Sequence, residues 1–123
     1  MNQKAEKTRY NDEELEEFKE LIEAKLVKAR NELQFYRAEM VEMADNPDVK
    51  IKGLDDGINT AENERLNNMA ARQRKLVRHL ENALIRIENK SYGVCRATGK
   101  LIAKERLRAV PHATLSIEAK QNQ

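Results

Sequence analysis

The thiol and imidazole side chains, the usual soft metal ligands, number three in this 123-residue sequence: Cys95, His79 and His112. A single thiol cannot close an intrachain disulfide, and it suits a reducing compartment. A structural zinc takes four nitrogen or sulfur ligands, so Cys95 joined by one imidazole falls short of a site. Cys95 therefore reads as a small buried apolar residue. The alternative, a redox sensor, requires an exposed and activated thiolate. The sequence holds no Gly-rich phosphate loop, no cluster of His with carboxylates, and no nucleophile with a neighbouring base, so the chain is not expected to be an enzyme.

Charge is the next source of chemistry. Charged residues make up 36% of the chain, yet 23 basic against 21 acidic leave a net charge of only +2. Their distribution is uneven: residues 11–46 carry −6, and residues 62–123 carry +7. Opposite halves of this kind suit the facing surfaces of an antiparallel helix pair, or a partner with patches of both signs. The run Arg72, Arg74, Lys75, Arg78 leaves nonspecific DNA binding open as an alternative, but no recognition motif accompanies it and sequence-specific DNA contact is not expected. Residues 1–10 are polar and read as a flexible N-terminus, neither a signal peptide nor a membrane span. A cytoplasmic protein without a membrane partner is expected.

The elements that would position these groups are helical. Asn11 followed by Asp12, Glu13 and Glu14 is a helix start: a capping side chain, then acids at the positive end of the dipole. Leu15, Phe18, Ile22, Leu26, Ala29, Leu33, Tyr36, Met40 and Met43 then recur at steps of three and four, a near-heptad seam. Leu21, Val27 and Phe35 would widen that stripe into burial on more than one line. Asn46-Pro47-Asp48 ends the helix, since proline disfavours the α conformation before it and lacks an N–H. The break runs to Gly57. A second seam follows in Leu66, Met69, Gln73, Leu76, Leu80, Ala83 and Ile87, with Gln73 the polar member that sets register at some cost in stability.

The predicted fold is mainly α: an antiparallel coiled-coil hairpin over 11–89 with its tip near 47–60, then a small module over 90–123. The module opens with a Gly-punctuated turn or hairpin, continues in a short helix over Lys104–Val110, and ends in another over Ala113–Lys120. Its mini-core would be Val94, Leu101, Ile102, Leu107, Leu115 and Ile117, resting near Leu84 and Ile87. A monomer is expected. The alternative is a structural or adaptor coiled coil that self-associates, with the seams continuing between chains.

The run from Glu81 through Leu84, Tyr92, Gly93 and Cys95, followed by Gly99-Lys-Leu-Ile102, Arg106-Leu107 and Ala109-Val-Pro111, resembles the C-terminal zinc-finger region of the DksA/TraR family over about residues 72–120. The resemblance implies a regulator that binds RNA polymerase directly. Its hairpin would enter the polymerase secondary channel and modulate promoter complexes. The family carries Cys-x2-Cys, a 17-residue spacer and Cys-x2-Cys; here the spacing survives, but the four positions are Cys95, Thr98, Ser116 and Ala119. One thiol, two hydroxyls and a methyl do not make a zinc site, and no metal or other cofactor is expected.

The family's tip motif, Asp-x-x-Asp-x-Ala, has its nearest counterparts around Asp55, Asp56 and Asn59, which the resemblance places at the polymerase active centre. The alternative is that Asp55 and Asp56 simply cap the second helix. In relatives that respond to the alarmone ppGpp, basic residues at the hairpin base help form a phosphate site shared with polymerase. The matching positions are Arg72, Arg78, Arg106 and Lys120, whereas His79 and Val110 stand where those relatives have basic residues.

Overall fold

The computed structural model describes residues 8–45 and 56–122, with side chains described for 8–44 and 61–122. Helix α1 spans Asp12–Asp45, α2 Asp56–Glu88, α3 Lys104–Ala109 and α4 Ile117–Gln121. One compact unit, the base, comprises residues up to Leu26 and from His79 onward; the other, the arm, is Val27–Arg78.

The start of α1 is a capping box. Glu14 N–H donates to Asn11 Oδ1 at 2.8 Å, and Asn11 N–H donates back to Glu14 Oε1 at 2.9 Å, which satisfies two backbone donors that the first helical turn leaves free. Helix α1 ends at Asp45, with Pro47 following in the sequence. Helix α2 begins at Asp56, so Gly57 lies in its first turn instead of closing the break.

The seams fold as their spacing predicts. In the base, Leu15, Phe18, Ile22 and Leu26 of α1 are buried, as are Leu80, Ala83 and Ile87 of α2. The Asp12–Lys90 ion pair lies beyond one end of this stretch, and Lys19 lines a groove with Leu84 and Glu88. Advancing along α1 therefore means receding along α2, the antiparallel hairpin. In the arm the buried seam is Ala29, Leu33, Leu66 and Ala70, and Tyr36 and Glu39 face Arg65. Tyr36, Met40, Met43, Met69, Gln73 and Leu76 are only half-buried.

The expected second line of burial is absent where it can be tested in the arm: Val27 is 58% and Phe35 59% exposed. Two helices can cover only one stripe of each other, and the arm has no third layer among the described residues to take the remaining face.

Helix α2 closes in a Schellman arrangement. Ser91 N–H reaches Arg86 O at 2.9 Å, Lys90 N–H reaches Ile87 O at 3.1 Å, and Lys90 takes φ +67°. The chain then turns through a single antiparallel bridge, Val94 to Leu101, into α3. Gly93 is required here. Its φ is +80°, and a Cβ would stand 2.6 Å from the Tyr10 ring.

Tyr10, assigned from the sequence to a flexible N-terminus, is in fact buried. It donates to Ile102 O and stacks edge-on with Phe18, which in turn meets Tyr92 at 5.3 Å. The module's core is therefore Tyr10, Tyr92, Cys95, Ile102, Leu107, Ala113 and Leu115. Val94 and Leu101 are half-buried at its edge, and Ile117 is 52% exposed, outside the mini-core assigned to it.

The last helix is shorter than its sequence suggests. Carbonyls in the 111–115 stretch accept tertiary hydrogen bonds: Pro111 O from the Tyr92 hydroxyl at 2.8 Å, Thr114 O from Arg96 N–H at 2.9 Å and Leu115 O from Arg106 Nε at 2.8 Å. That leaves the segment as turn and irregular chain until Ser116, whose Oγ accepts from Ala119 N–H at 3.1 Å and caps α4.

Candidate functional site

Two places in the base carry polar chemistry. The first is the knuckle formed by Cys95, Thr98, Ser116 and Ala119. Gly99 N–H returns to Cys95 O and Cys95 N–H goes to Lys100 O, both at 2.8 Å, so backbone hydrogen bonds close the turn. Across it, Ser116 N–H points at Cys95 Sγ at 3.4 Å, and Lys100 N–H donates to Thr98 Oγ1 at 3.2 Å.

These contacts test the fit of a zinc ion. Cys95 supplies one sulfur, the Ser116 hydroxyl already accepts the cap of α4, and Ala119 has no donor atom. No group of three or more His, Cys, Asp or Glu with metal-holding geometry occurs among the described residues. The donor set does not fit a tetrahedral zinc site.

Cys95 is 1% exposed. Its thiol is nevertheless drawn down to about 6, mainly by the Thr98 side chain and then by the Ser116 N–H, against the opposing effect of burial. A thiolate favoured by hydrogen bonds but enclosed by protein is poorly placed to react.

The second place is a cleft of about 300 Å³ beside the last turns of α2, lined by His79, Arg86, Arg106, Val110, His112 and Lys120 among others. The two imidazoles stack, with centroids 5.2 Å apart and planes 13° from parallel. Burial, then His79, then Arg86 lower the pKa of His112 from its ordinary value. Burial also lowers that of Arg86, whose Nη2 reaches only the His112 carbonyl, at 3.4 Å. Arg106 is fixed by its bond to Leu115 O.

Of the four basic residues singled out in the sequence, Arg106 and Lys120 line this cleft. Arg72 and Arg78 belong to the arm, are exposed, and are not among its lining residues. Arg86 and His112 were not foreseen there. Arg86 carried a signal, since it lies seven residues, two helical turns, after His79 and so shares its face. His112 carried none, because only the 111–115 loop brings it back to α2. Asp55 lies outside the described residues; Asp56 and Asn59 fall in the first turns of α2, where side chains are not described.

Comparison with known proteins bears on the whole arrangement. Residues 90–122 match the prokaryotic DksA/TraR C4-type zinc finger. The structure of transcription factor DksA2 from Pseudomonas aeruginosa superposes with a TM-score of 0.80 at 25% identity, covering 89% of this chain and 81% of that one. Residues 90–122 thus carry a DksA/TraR-type zinc-finger sequence, on a chain with the fold of DksA2. Among its relatives is the RNA polymerase-binding transcription factor DksA of Caulobacter vibrioides, 50% identical over 50 residues, which are 41% of this chain and 35% of that protein. General stress protein 16O of Bacillus subtilis is 30% identical over 100 residues, covering 77% of this chain and 61% of the relative. The matched stretches thus span about a third of the first relative and under two thirds of the second. The knuckle lies within the stretch matched to the C4-type zinc finger.

Proposed function

We propose that this chain is a transcription regulator that binds RNA polymerase directly, inserting its coiled-coil hairpin into the secondary channel to modulate promoter complexes. The observation that carries the reading is the match to transcription factor DksA2 across 89% of the chain, which includes both the hairpin and the module. In this reading the protein is a cytoplasmic monomer and catalyses nothing itself. Asp55, Asp56 and Asn59 act at the polymerase active centre through charge and hydrogen bonding. The knuckle works without zinc. Arg106 and Lys120 are the basic residues available to a phosphate-bearing effector such as ppGpp held jointly with polymerase. No helix among the described residues is long and apolar enough to cross a membrane.

The test is binding to purified RNA polymerase from the same host, with and without a secondary-channel competitor. Competitive binding is expected, and the Asp55→Asn/Asp56→Asn variant should bind but lose its effect on transcription. Absence of binding, or binding indifferent to the competitor, would defeat the proposal. A self-associating coiled coil is the second reading, favoured by the exposed Val27, Phe35 and Val41 of α1. A sedimentation mass that rises with protein concentration would support it.

A further inference from the structure

We propose that Met40, Met43 and Met69 make the arm a site of reversible sulfoxidation, at which an oxidant of the peroxide class loosens the helix pair and leaves the base intact. The proposal concerns the chain alone and does not depend on polymerase.

The oxidisable sulfurs of the chain are Cys95 and four methionines. Cys95 is 1% exposed and belongs to the core of the base. The three internal methionines all lie in the arm, at seam positions, and all three are half-buried. Their leucine neighbours on the same seams, Leu33 and Leu66, are buried. A half-buried thioether combines two properties: its sulfur can be reached from solvent, and its carbons still pack between the helices. Oxidation therefore needs no prior unfolding, and it turns a flexible apolar side chain into a polar, chiral one at the line where α1 meets α2. The arm has little to absorb that change, because its described buried residues include two alanines and no third layer covers the pair.

The step is an oxygen transfer. The Sδ lone pair attacks one oxygen of hydrogen peroxide, the O–O bond breaks as the S–O bond forms, and the second oxygen leaves as water with both protons. Sulfur gives up two electrons and the peroxide takes them. Return requires a dithiol reductant, which carries the oxygen away as water and becomes a disulfide, the reaction of methionine sulfoxide reductases.

Met69 differs from the other two. Arg65 Nη1 donates to its Sδ at 3.1 Å, while Nε of the same guanidinium donates to Glu62 at 3.2 Å. The N–H engages the electron density that must attack the peroxide, so Met69 reacts more slowly than Met40 or Met43. Once formed, the sulfoxide oxygen of Met69 is a stronger acceptor than the thioether sulfur and draws Arg65 away from Glu62.

The experiment exposes the full-length protein to hydrogen peroxide, following each methionine by peptide mass spectrometry and each helix by amide hydrogen exchange. Met40 and Met43 should oxidise first and Met69 last. Arm amides should then exchange about tenfold faster, the scale expected when an unsatisfied polar group enters a packed seam, while amides of the base keep their rates. Methionine sulfoxide reductases of both stereospecificities should restore the original exchange. The Met40→Leu/Met43→Leu/Met69→Leu variant conserves side-chain volume and should be indifferent to peroxide. Arg65→Gln should speed oxidation of Met69 and leave that of Met43 unchanged, which general loosening of the arm would not do. Arm methionines that resist peroxide in the folded protein, or sulfoxides that leave arm exchange unaltered, would overturn the proposal, and both results come from the unsubstituted chain. Peroxide-accelerated exchange that persists in the methionine-to-leucine variant would move the effect to Cys95 and overturn it as well.

Discussion

The base and the arm are built from the same two helices by different means. Among the described residues of the arm, the buried ones that hold α1 against α2 are Ala29, Leu33, Leu66 and Ala70. Two of them are alanines, which let the helices approach closely but contribute little apolar area. The base adds a third body to the hairpin, and its buried set includes Tyr10, Phe18 and Tyr92 in one aromatic chain, with Ile102 and Leu107 fully enclosed. The difference teaches where constraint lies in this fold. The base is a packed core in which volume and backbone angles are fixed, whereas the arm is a single seam whose outward faces are free to vary.

The largest expected effect tests that division directly. Tyr10→Ala removes an aromatic side chain 7% exposed, its contact with Phe18 at 5.6 Å, and the hydroxyl that satisfies Ile102 O. It should destabilise the protein by about 3–5 kcal/mol, read from the shift of a urea unfolding midpoint. Leu33→Ala in the arm, where neighbours can relax toward solvent, should cost about 2 kcal/mol. Equal losses would break the comparison.

Gly93→Ala comes next. The residue sits at φ +80° and an added Cβ would meet the Tyr10 ring at 2.6 Å, so strain and overpacking combine. A loss of about 2–3 kcal/mol is expected in the same assay. Gly93→Ala in the Tyr10→Ala background should cost less, because the clash is gone and only the backbone strain remains. Additive losses would show that the ring contact is unimportant.

The arm was largely legible in the sequence and the base was not. Seam residues such as Ala29, Leu33 and Leu66 are buried because helical spacing brings them onto one line, and spacing is a local property. Val27 and Phe35 were misjudged for a related reason: hydrophobicity suggests a second line of burial, but whether a third layer exists to cover it is a tertiary fact. The base depends on long-range closure. Nothing near Tyr10 in sequence announces that it will meet Gly93 and Ile102, and nothing near His112 announces His79. The knuckle was readable in its spacing and its residue types, because the resemblance fixed which positions to compare.

A smaller effect sharpens the description of the arm. Gln73 lies on the α2 seam and its Oε1 is buried without a hydrogen-bond partner among the described residues, so the described part of the arm leaves this polar atom unsatisfied. Gln73→Leu should stabilise the chain by about 1 kcal/mol through relief of that desolvation. If Gln73 sets register, the same substitution should also permit alternative pairings, visible as broadened or doubled amide resonances for arm residues. Destabilisation would mean that the glutamine gains hydrogen bonds in solution.

The smallest expected effect concerns the module, where relatives of the C4 type use metal ligands. Ser116 N–H, Thr98 and the closed turn at Gly99 surround Cys95 instead, while Tyr10 bonds to Ile102 O of the module and the Tyr92 ring meets Phe18 of α1. Metal binding supplies folding free energy only where a full ligand set exists to be organised. Chelator added to the purified protein should therefore leave its thermal unfolding midpoint unchanged, and zinc should not copurify in stoichiometric amount. A downward shift on chelation would assign the base's stability to a metal and remove the contrast in packing from which the comparison with the arm was argued.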